Sequence, residues 1–365
     1  MTDSKSNWTA AGHEVSDSIE LNPETAVLAA AINLPSGFAL IAEDPEFGPA
    51  ISMGMAKVEK LLRDALANSD PLIDASSRHL VEAGGKRVRP LLVLLTSLLG
   101  DGVTDEVIKA AAVVELTHLA TLYHDDVMDS APMRRGAPTA HEVWGNSVAI
   151  LAGDLIFARA SVFGADLGPE AVNWQSRTFE RLCLGQLHES IGPREGDDAI
   201  AHHIQVISDK TASLLATSGA FGARFGGIPE FIEVLREYGE KVGVAFQVAD
   251  DVIDIASKEA DSGKTPGTDL REGVPTLPVL LLRQAAENGD VEAQTAVELV
   301  DSDLTSDEAL AKAVEAVAGH RSIQDAWNVA RRWADDAIEV LAPLPEGTVK
   351  SALISFADAV VTREA

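Results

Sequence analysis

The stretch LYHDDVMDSAPMRRG, residues 122–136, sets Asp125, Asp126 and Asp129 beside Arg134 and Arg135. On a helix, residues four apart share a face one turn apart, so Asp125 and Asp129 align while Asp126 is offset by about 100°. Carboxylates that close repel one another unless solvent or a cation intervenes. Oxygen ligands at this spacing suit a hard divalent cation such as Mg²⁺, which keeps some of its water and bridges readily to phosphate. A single acidic triplet is equally what a solvated helix end looks like. The pattern recurs, however, in FQVADDVIDIA as Asp250, Asp251 and Asp254. Each triplet follows an apolar helical run, where burying bare carboxylates would be strongly unfavourable. Two matched acidic turns at the ends of core helices point to one shared site; facing a common cavity, they would hold two or three Mg²⁺ ions.

Such a site needs something to act on. The chain carries a formal charge of −28, which argues against nucleic-acid binding through an overall positive field. Its few cations are instead concentrated near the acidic turns: Lys86, Arg87 and Arg89 in GGKRVRP, Arg134 and Arg135 in MRRG, Lys210 in DKTAS and Lys264 in SGKTPG. Arginine grips phosphate oxygens in a bidentate fork and lysine acts as a mobile point charge. The Gly84–Gly85 pair suits close backbone approach to a ligand, and also an ordinary helix-ending turn. Together these groups imply a diphosphate held partly by Mg²⁺ and partly by side chains.

The elements that position these residues read as helices. From about residue 52 onward apolar residues recur at three and four spacings, as in MGMAKVEKLLRDAL and NSVAILAGDLIFARASVFGA. Gly and Pro punctuate the segments at EAGGKRVRP, RRGAPT, FGGIPE and GVPTLP, and strand-like alternation is scarce. The expectation is an all-α fold, a single large helical bundle around a central cavity, spanning residues 51–365. Residues 1–50 read as an acidic, mostly disordered leader, with one short helix around PETAVLAAAINL. The single cysteine, Cys183, leaves no intramolecular disulfide framework and fits a reducing compartment. The start has no signal-peptide pattern, and no uninterrupted apolar run reaches the roughly 20 residues of a membrane span. A cytoplasmic protein without a transmembrane segment is expected.

The motifs GGKRVRP, HDDVMDSAPMRRG, GQLHE, DKTAS, AFQVADDVIDIA, GKTPGTDLREGVPTLP and ADAVVTRE stand in the order found in the trans-isoprenyl diphosphate synthases, the polyprenyl synthetase family. The chain resembles that family over residues from about 55 to 364. The resemblance implies the isoprenoid-synthase bundle and a Mg²⁺-dependent prenyltransferase that joins isopentenyl diphosphate to an allylic diphosphate. It assigns Asp125, Asp129 and Asp250 as main metal ligands, assisted by Asp126, Asp251 and Asp254. Arg134, Lys210 and Lys264 would clamp the allylic diphosphate, and the oxygens of Thr211 and Gln247 would face the allylic cation. Lys86, Arg89, His118 and Arg135 would hold isopentenyl diphosphate. His124, His188 and Gln186 have no assigned role. The family implies a homodimer. One departure is Val274, where relatives often carry a lysine directed at diphosphate; Lys264 and Arg271 stand nearby in sequence.

Product length is implied by what precedes Asp125. Short-chain family members place Phe or Tyr about one turn before the first aspartate, whereas this chain has Ala120 and Thr121 there and Thr117 a turn deeper. Phe157 and Phe163 on a later helix could close the tunnel lower down. The implied product is longer than C15, in the medium-to-long range, with a C20 geranylgeranyl synthase as the alternative. A non-catalytic regulatory subunit and a class I terpene cyclase are the remaining readings.

Overall fold

The computed structural model describes residues 36–256 and 266–362. Seventeen α-helices make up the described chain: α1 (Ala39–Glu43), α2 (Phe47–Leu66), α3 (Pro71–Glu82), α4 (Val88–Ser97), α5 (Asp105–Met128), α6 (Ala140–Trp144), α7 (Asn146–Leu167), α8 (Pro169–Ile191), α9 (Ala199–Ile207), α10 (Ser213–Phe225), α11 (Ile232–Ala256), α12 (Thr268–Glu272), α13 (Leu277–Glu287), α14 (Val291–Val300), α15 (Asp307–Gly319), α16 (Ser322–Val340) and α17 (Thr348–Thr362). Among the described residues the only strands are β1 (Met133–Arg134) and β2 (Ala137–Pro138), paired antiparallel. The expected all-α architecture is observed.

Sequence explains the starts of the helices. Thr104 accepts a hydrogen bond from the Val107 N–H, and Asp105 and Glu106 lie in the first turn of α5, where the helix dipole favours negative charge. Asp70 and Asp198 cap α3 and α9 in the same way. Helix α5 is buried on every side from Val107 to Ala120, so it runs through the centre. It packs along α7, while α10 packs along α11 and α4, and α11 along α16. These elements carry the acidic turns at the ends of α5 and α11.

One expectation needs correction. The folded region begins before residue 51: Phe38 and Ile41 are fully buried, and Phe38 stacks on Phe356 of α17 at 4.4 Å between ring centroids. The buried Phe38, Ile41 and Ala42 of SGFALIAE close this end of the core, though the segment is too short to show a period. The short helix expected around residues 23–34 lies outside the described residues. Helix α7, though interrupted by Asp154, Arg159 and Asp166, is by length and a mean hydropathy of 1.7 apolar enough to cross a membrane. It is a bundle helix, packed against α5, α8 and α6. Its Asp154 approaches His124 at 3.3 Å, and its Asp166 pairs with Lys109 at 2.9 Å.

Candidate active site

The first acidic turn closes α5. Asp125 faces inward, Asp129 caps the helix at the surface, and Asp126 is only 1% exposed. A tight ribbon comes next. Arg135 and Gly136 both take left-handed backbone angles, φ 53° and 77°, the geometry of a two-residue hairpin turn. The ribbon returns Arg134 to the helix end, where its Nε donates to Asp126 Oδ1; Asp126 Oδ2 is buried without a hydrogen-bond partner. Asp126 thus holds Arg134 directly, a contact that the triplet pattern did not show.

The second acidic turn closes α11 with a similar division. Asp251 is 4% exposed and held from three sides: His203 Nε2 at 2.9 Å, Gln247 Nε2 at 3.2 Å and the Leu277 N–H at 3.4 Å. Asp254 accepts the Asp269 N–H at 3.2 Å, tying α12 back to the turn. Asp250 is half-buried on α11.

The two turns face one polar cavity of about 560 Å³. Asp129 and Arg134 line it from the α5 side, Gln247 and Asp251 from α11. Glu189, His203, Asp269 and Glu272 add further lining from α8, α9 and α12. Lys210 lines this space and also a second, mostly apolar cavity of about 340 Å³, whose walls include Asp125, Thr121, Phe179, Leu182, Leu187 and Met128. Lys210 pairs with Glu189, and Thr211 Oγ1 donates to Gln247 Oε1 at 3.1 Å, so the residues of DKTAS are delivered to the junction.

Electrostatics show what the carboxylates of the two acidic turns and α12 are suited to hold. Asp125 is pushed up to about 6, chiefly by burial, against the attraction of Lys210 and with Asp129 adding repulsion. Asp269 is pushed up to about 7 by burial and by Asp254 and Asp251. A crowd of carboxylates that resist ionisation, with a buried orphan oxygen on Asp126, is a donor set fit for a hard divalent cation. Among the described residues no three such side chains converge on one point.

Beside this mouth lies a cationic nest. Arg87 is consumed structurally, bonded to Glu59 at 2.5 Å and Glu115 at 2.9 Å and to the carbonyls of Gly84 and Val81. Arg89 is held below its usual pKa by burial, relieved by Glu115 and aggravated by Arg135. Its Nε is buried without a partner, and leaving a charged donor so costs on the order of 1–3 kcal/mol or more. His118 is driven well below its usual value by burial and then by Arg89, Arg135, Arg134 and Arg87. Arg135 donates to the Leu80 carbonyl at 3.0 Å and to that of Gly84. The glycine pair explains the fit: a Cβ at Gly85 would lie 2.8 Å from the Arg135 guanidinium carbon. Lys86 is exposed at the rim.

Other predicted residues fall differently. Lys264 lies outside the described residues. Arg271 is turned away, paired with Asp307 of α15 at 2.5 Å, so it does not replace the missing lysine, and Val274 lines the polar cavity instead. Ala120 is fully buried, and Thr117 is buried with its hydroxyl on the Val113 carbonyl at 2.8 Å. Of the three small residues, Thr121 faces the apolar cavity. Its aromatic wall is Phe179, with Phe157 stacked behind at 4.0 Å; Phe163 packs against the main core. His124 and Gln186 line the apolar cavity, and Gln186 Oε1 is buried without a partner; His188 borders a separate solvent groove. His203, Glu189, Asp269 and Phe179 were missed. Phe179 was the findable one: it sits seven residues before Gln186, two turns along one face.

Residues 70–317 match the family model described as Polyprenyl synthetase. A nonaprenyl diphosphate synthase of Mycobacterium tuberculosis is 42% identical over 88% of this chain and 95% of its own length. The solved structure of a geranylgeranyl pyrophosphate synthase from Corynebacterium glutamicum, complexed with calcium and isoprenyl diphosphate, superposes with a TM-score of 0.78 at 42% identity, covering 87% of this chain and 98% of that one. A decaprenyl diphosphate synthase from Rhodobacter capsulatus superposes at 0.76 with 32% identity over 87% and 98%. The chain belongs to the polyprenyl synthetase family, and is a prenyltransferase of the trans-isoprenyl diphosphate synthase type.

Proposed function

We propose that the chain condenses isopentenyl diphosphate head-to-tail with an allylic diphosphate, using Mg²⁺, to make polyprenyl diphosphates in the medium-to-long range. The observation that carries this reading is that Lys210 lines two cavities at once: a polar one lined from both acidic turns, and an apolar one lined from α5 and α8. Asp125, Asp129 and Asp250 would hold the ions, two or three in number, with Asp251 and Asp254 fixing the second turn and Asp126 fixing Arg134. Mg²⁺, when bound, supplies Lewis-acid stabilisation of the departing diphosphate. Arg134 and Lys210 add charge at the same place, and Lys264 would join them. Thr211 donates to Gln247 Oε1 and both residues line the polar cavity, and each oxygen retains acceptor capacity that would serve a developing allylic cation. Arg89, Arg135 and neutral His118, with Lys86 at the rim, suit an anion bound without metal.

The metal reading draws support from the Corynebacterium relative, solved with calcium and isoprenyl diphosphate. Chain length draws support from the small residue Thr121 at the tunnel entrance and from relatives named for nonaprenyl, octaprenyl and decaprenyl products. A C20 product is the second reading, favoured by 42% identity to a geranylgeranyl synthase. An apolar face of α7 and α8, with Leu151 and Ile191 exposed by 66% and 74%, supports a homodimer built on it. The free thiol of Cys183 fits a cytoplasmic setting.

The test is release of inorganic diphosphate with each substrate alone and with both. Release only with both, lost on adding EDTA and restored by Mg²⁺, is the expected result. Release from the allylic diphosphate alone with a hydrocarbon product would instead identify a cyclase. No turnover despite Mg²⁺ binding would identify a regulatory subunit.

A further inference from the structure

Between α9 and α10 the chain makes a single π-helical turn, Ser208–Ala212, closed by the Ser213 N–H on the Ser208 carbonyl. The extra residue of such a turn rotates the side chains downstream of it, and π turns of this kind recur at functional sites. Here it aims Lys210 and Thr211 into the junction of the two cavities. A turn of poorer hydrogen-bond geometry needs outside support, and this one is clasped from behind. Arg181 of α8 donates to Asp209 Oδ1 at 2.6 Å, to the Ser208 carbonyl at 3.2 Å and to the Ser208 hydroxyl at 3.0 Å. Its other contacts go to both carboxylate oxygens of Glu240 on α11, at 2.6 and 2.9 Å, and the Ser208 hydroxyl donates to Glu240 as well.

The flanking helices are shaped for the same purpose. Gly185 lies one turn after Arg181 on α8, and a Cβ there would come 2.8 Å from the Lys210 nitrogen. Gly243 lies near one turn after Glu240 on α11, and its added Cβ would come 2.6 Å from Ala212 Cα. Glu240 and Gln247 are seven residues apart on α11, so one face holds the back of the turn through Ser208 and meets its front through Thr211.

We propose that Arg181 and Glu240 are positioning residues for prenyl transfer, an ion pair that holds the Ser208–Ala212 turn in register so that Lys210 and Thr211 meet the departing diphosphate and the allylic cation. Neither side chain lines either cavity of the site. Both line a separate cavity of about 290 Å³ on the opposite side of the turn, with Ser213 and Thr217.

That rear cavity permits a direct test, which rests on the prenyl-transfer reading. In steady-state assays Arg181→Ala should lower kcat by about tenfold or more, the size of effect that a small misplacement of catalytic groups produces. The KM for isopentenyl diphosphate, whose proposed cations lie on other elements, should stay within about twofold. Millimolar guanidinium should restore several-fold of the lost rate to Arg181→Ala and nothing to Lys210→Ala, while equal KCl restores neither. Glu240→Gln keeps size and shape and should lower kcat several-fold, which decides the matter if Arg181→Ala is insoluble. A kcat within twofold of wild type in the soluble variants would overturn the proposal. So would a loss without guanidinium rescue that merely tracks a lowered melting temperature. An inactive wild type would count against the prenyl-transfer reading and not against the clasp.

Discussion

Two crowds of like charge stand side by side at the end of α5: carboxylates around the polar cavity, and guanidinium groups beside His118. In both, burial and neighbours push the groups toward their neutral forms, Asp125 and Asp269 upward and Arg89, Arg135 and His118 downward. The signs are opposite, and so are the ligands each can take. The acidic crowd can grip an anion only through intervening cations, whereas the basic crowd can grip one directly. Under the proposed function, a chain of charge −28 would bind two diphosphates within one site: one with metal, one without.

Substitutions on either side of this charge boundary have distinct expected effects. The largest effect belongs to the acidic side. Asp125→Ala with Asp129→Ala should cut kcat by about 10³-fold or more, since it removes electrostatic stabilisation of the leaving group; a loss under tenfold, measured at saturating Mg²⁺, would contradict the assignment. Next, Arg89→Ala or Arg135→Ala should raise the KM for isopentenyl diphosphate by roughly 10- to 100-fold, in line with about 1.5–3 kcal/mol for a hydrogen bond to a charged group. Calorimetry should show that this substrate still binds in EDTA while the allylic diphosphate does not. Phe179→Ala should lengthen the products by one or more isoprene units with little change in rate, read by chromatography of the dephosphorylated alcohols. Val274→Lys should tighten allylic diphosphate binding by only a few-fold, as expected of one added, partly solvated charge.

The smallest effect is on stability. Unfolded His118 takes up its proton near the ordinary value of 6.5, whereas in the nest its folded value is well below. A histidine held neutral costs stability as pH falls through that window, so melting temperature should drop below about pH 6.5. His118→Gln should flatten that part of the profile, and an unchanged slope would argue that His118 does not set it.

Much of this was legible in the sequence because it is periodic. Apolar residues at three and four spacings yielded a helical bundle, and the repeated aspartate triplets located the two helix ends. What periodicity cannot show is the partner on another element. Asp126 and Asp251 look like their neighbours in the triplets, yet one meets Arg134 across a hairpin and the other His203 from α9. Arg87 and Arg89 are two residues apart, and only the ion pairs to half-buried Glu59 and buried Glu115 distinguish the structural arginine from the one left facing the nest. The π turn in DKTAS has no period of its own, and its clasp comes from α8 and α11. Phe38 and Ile41 lie in a segment too short to betray a helix, so the start of the fold was placed too late.

The most direct test of the central claim is to incubate the protein with labelled isopentenyl diphosphate, Mg²⁺ and geranyl, farnesyl or geranylgeranyl diphosphate, then size the products after dephosphorylation. The proposed function, with the small Thr121 lining the apolar cavity, predicts chains of C30 or longer, formed only with metal present. A product ladder ending at C20 or below would contradict the open tunnel, and the absence of any condensation product would contradict the account as a whole.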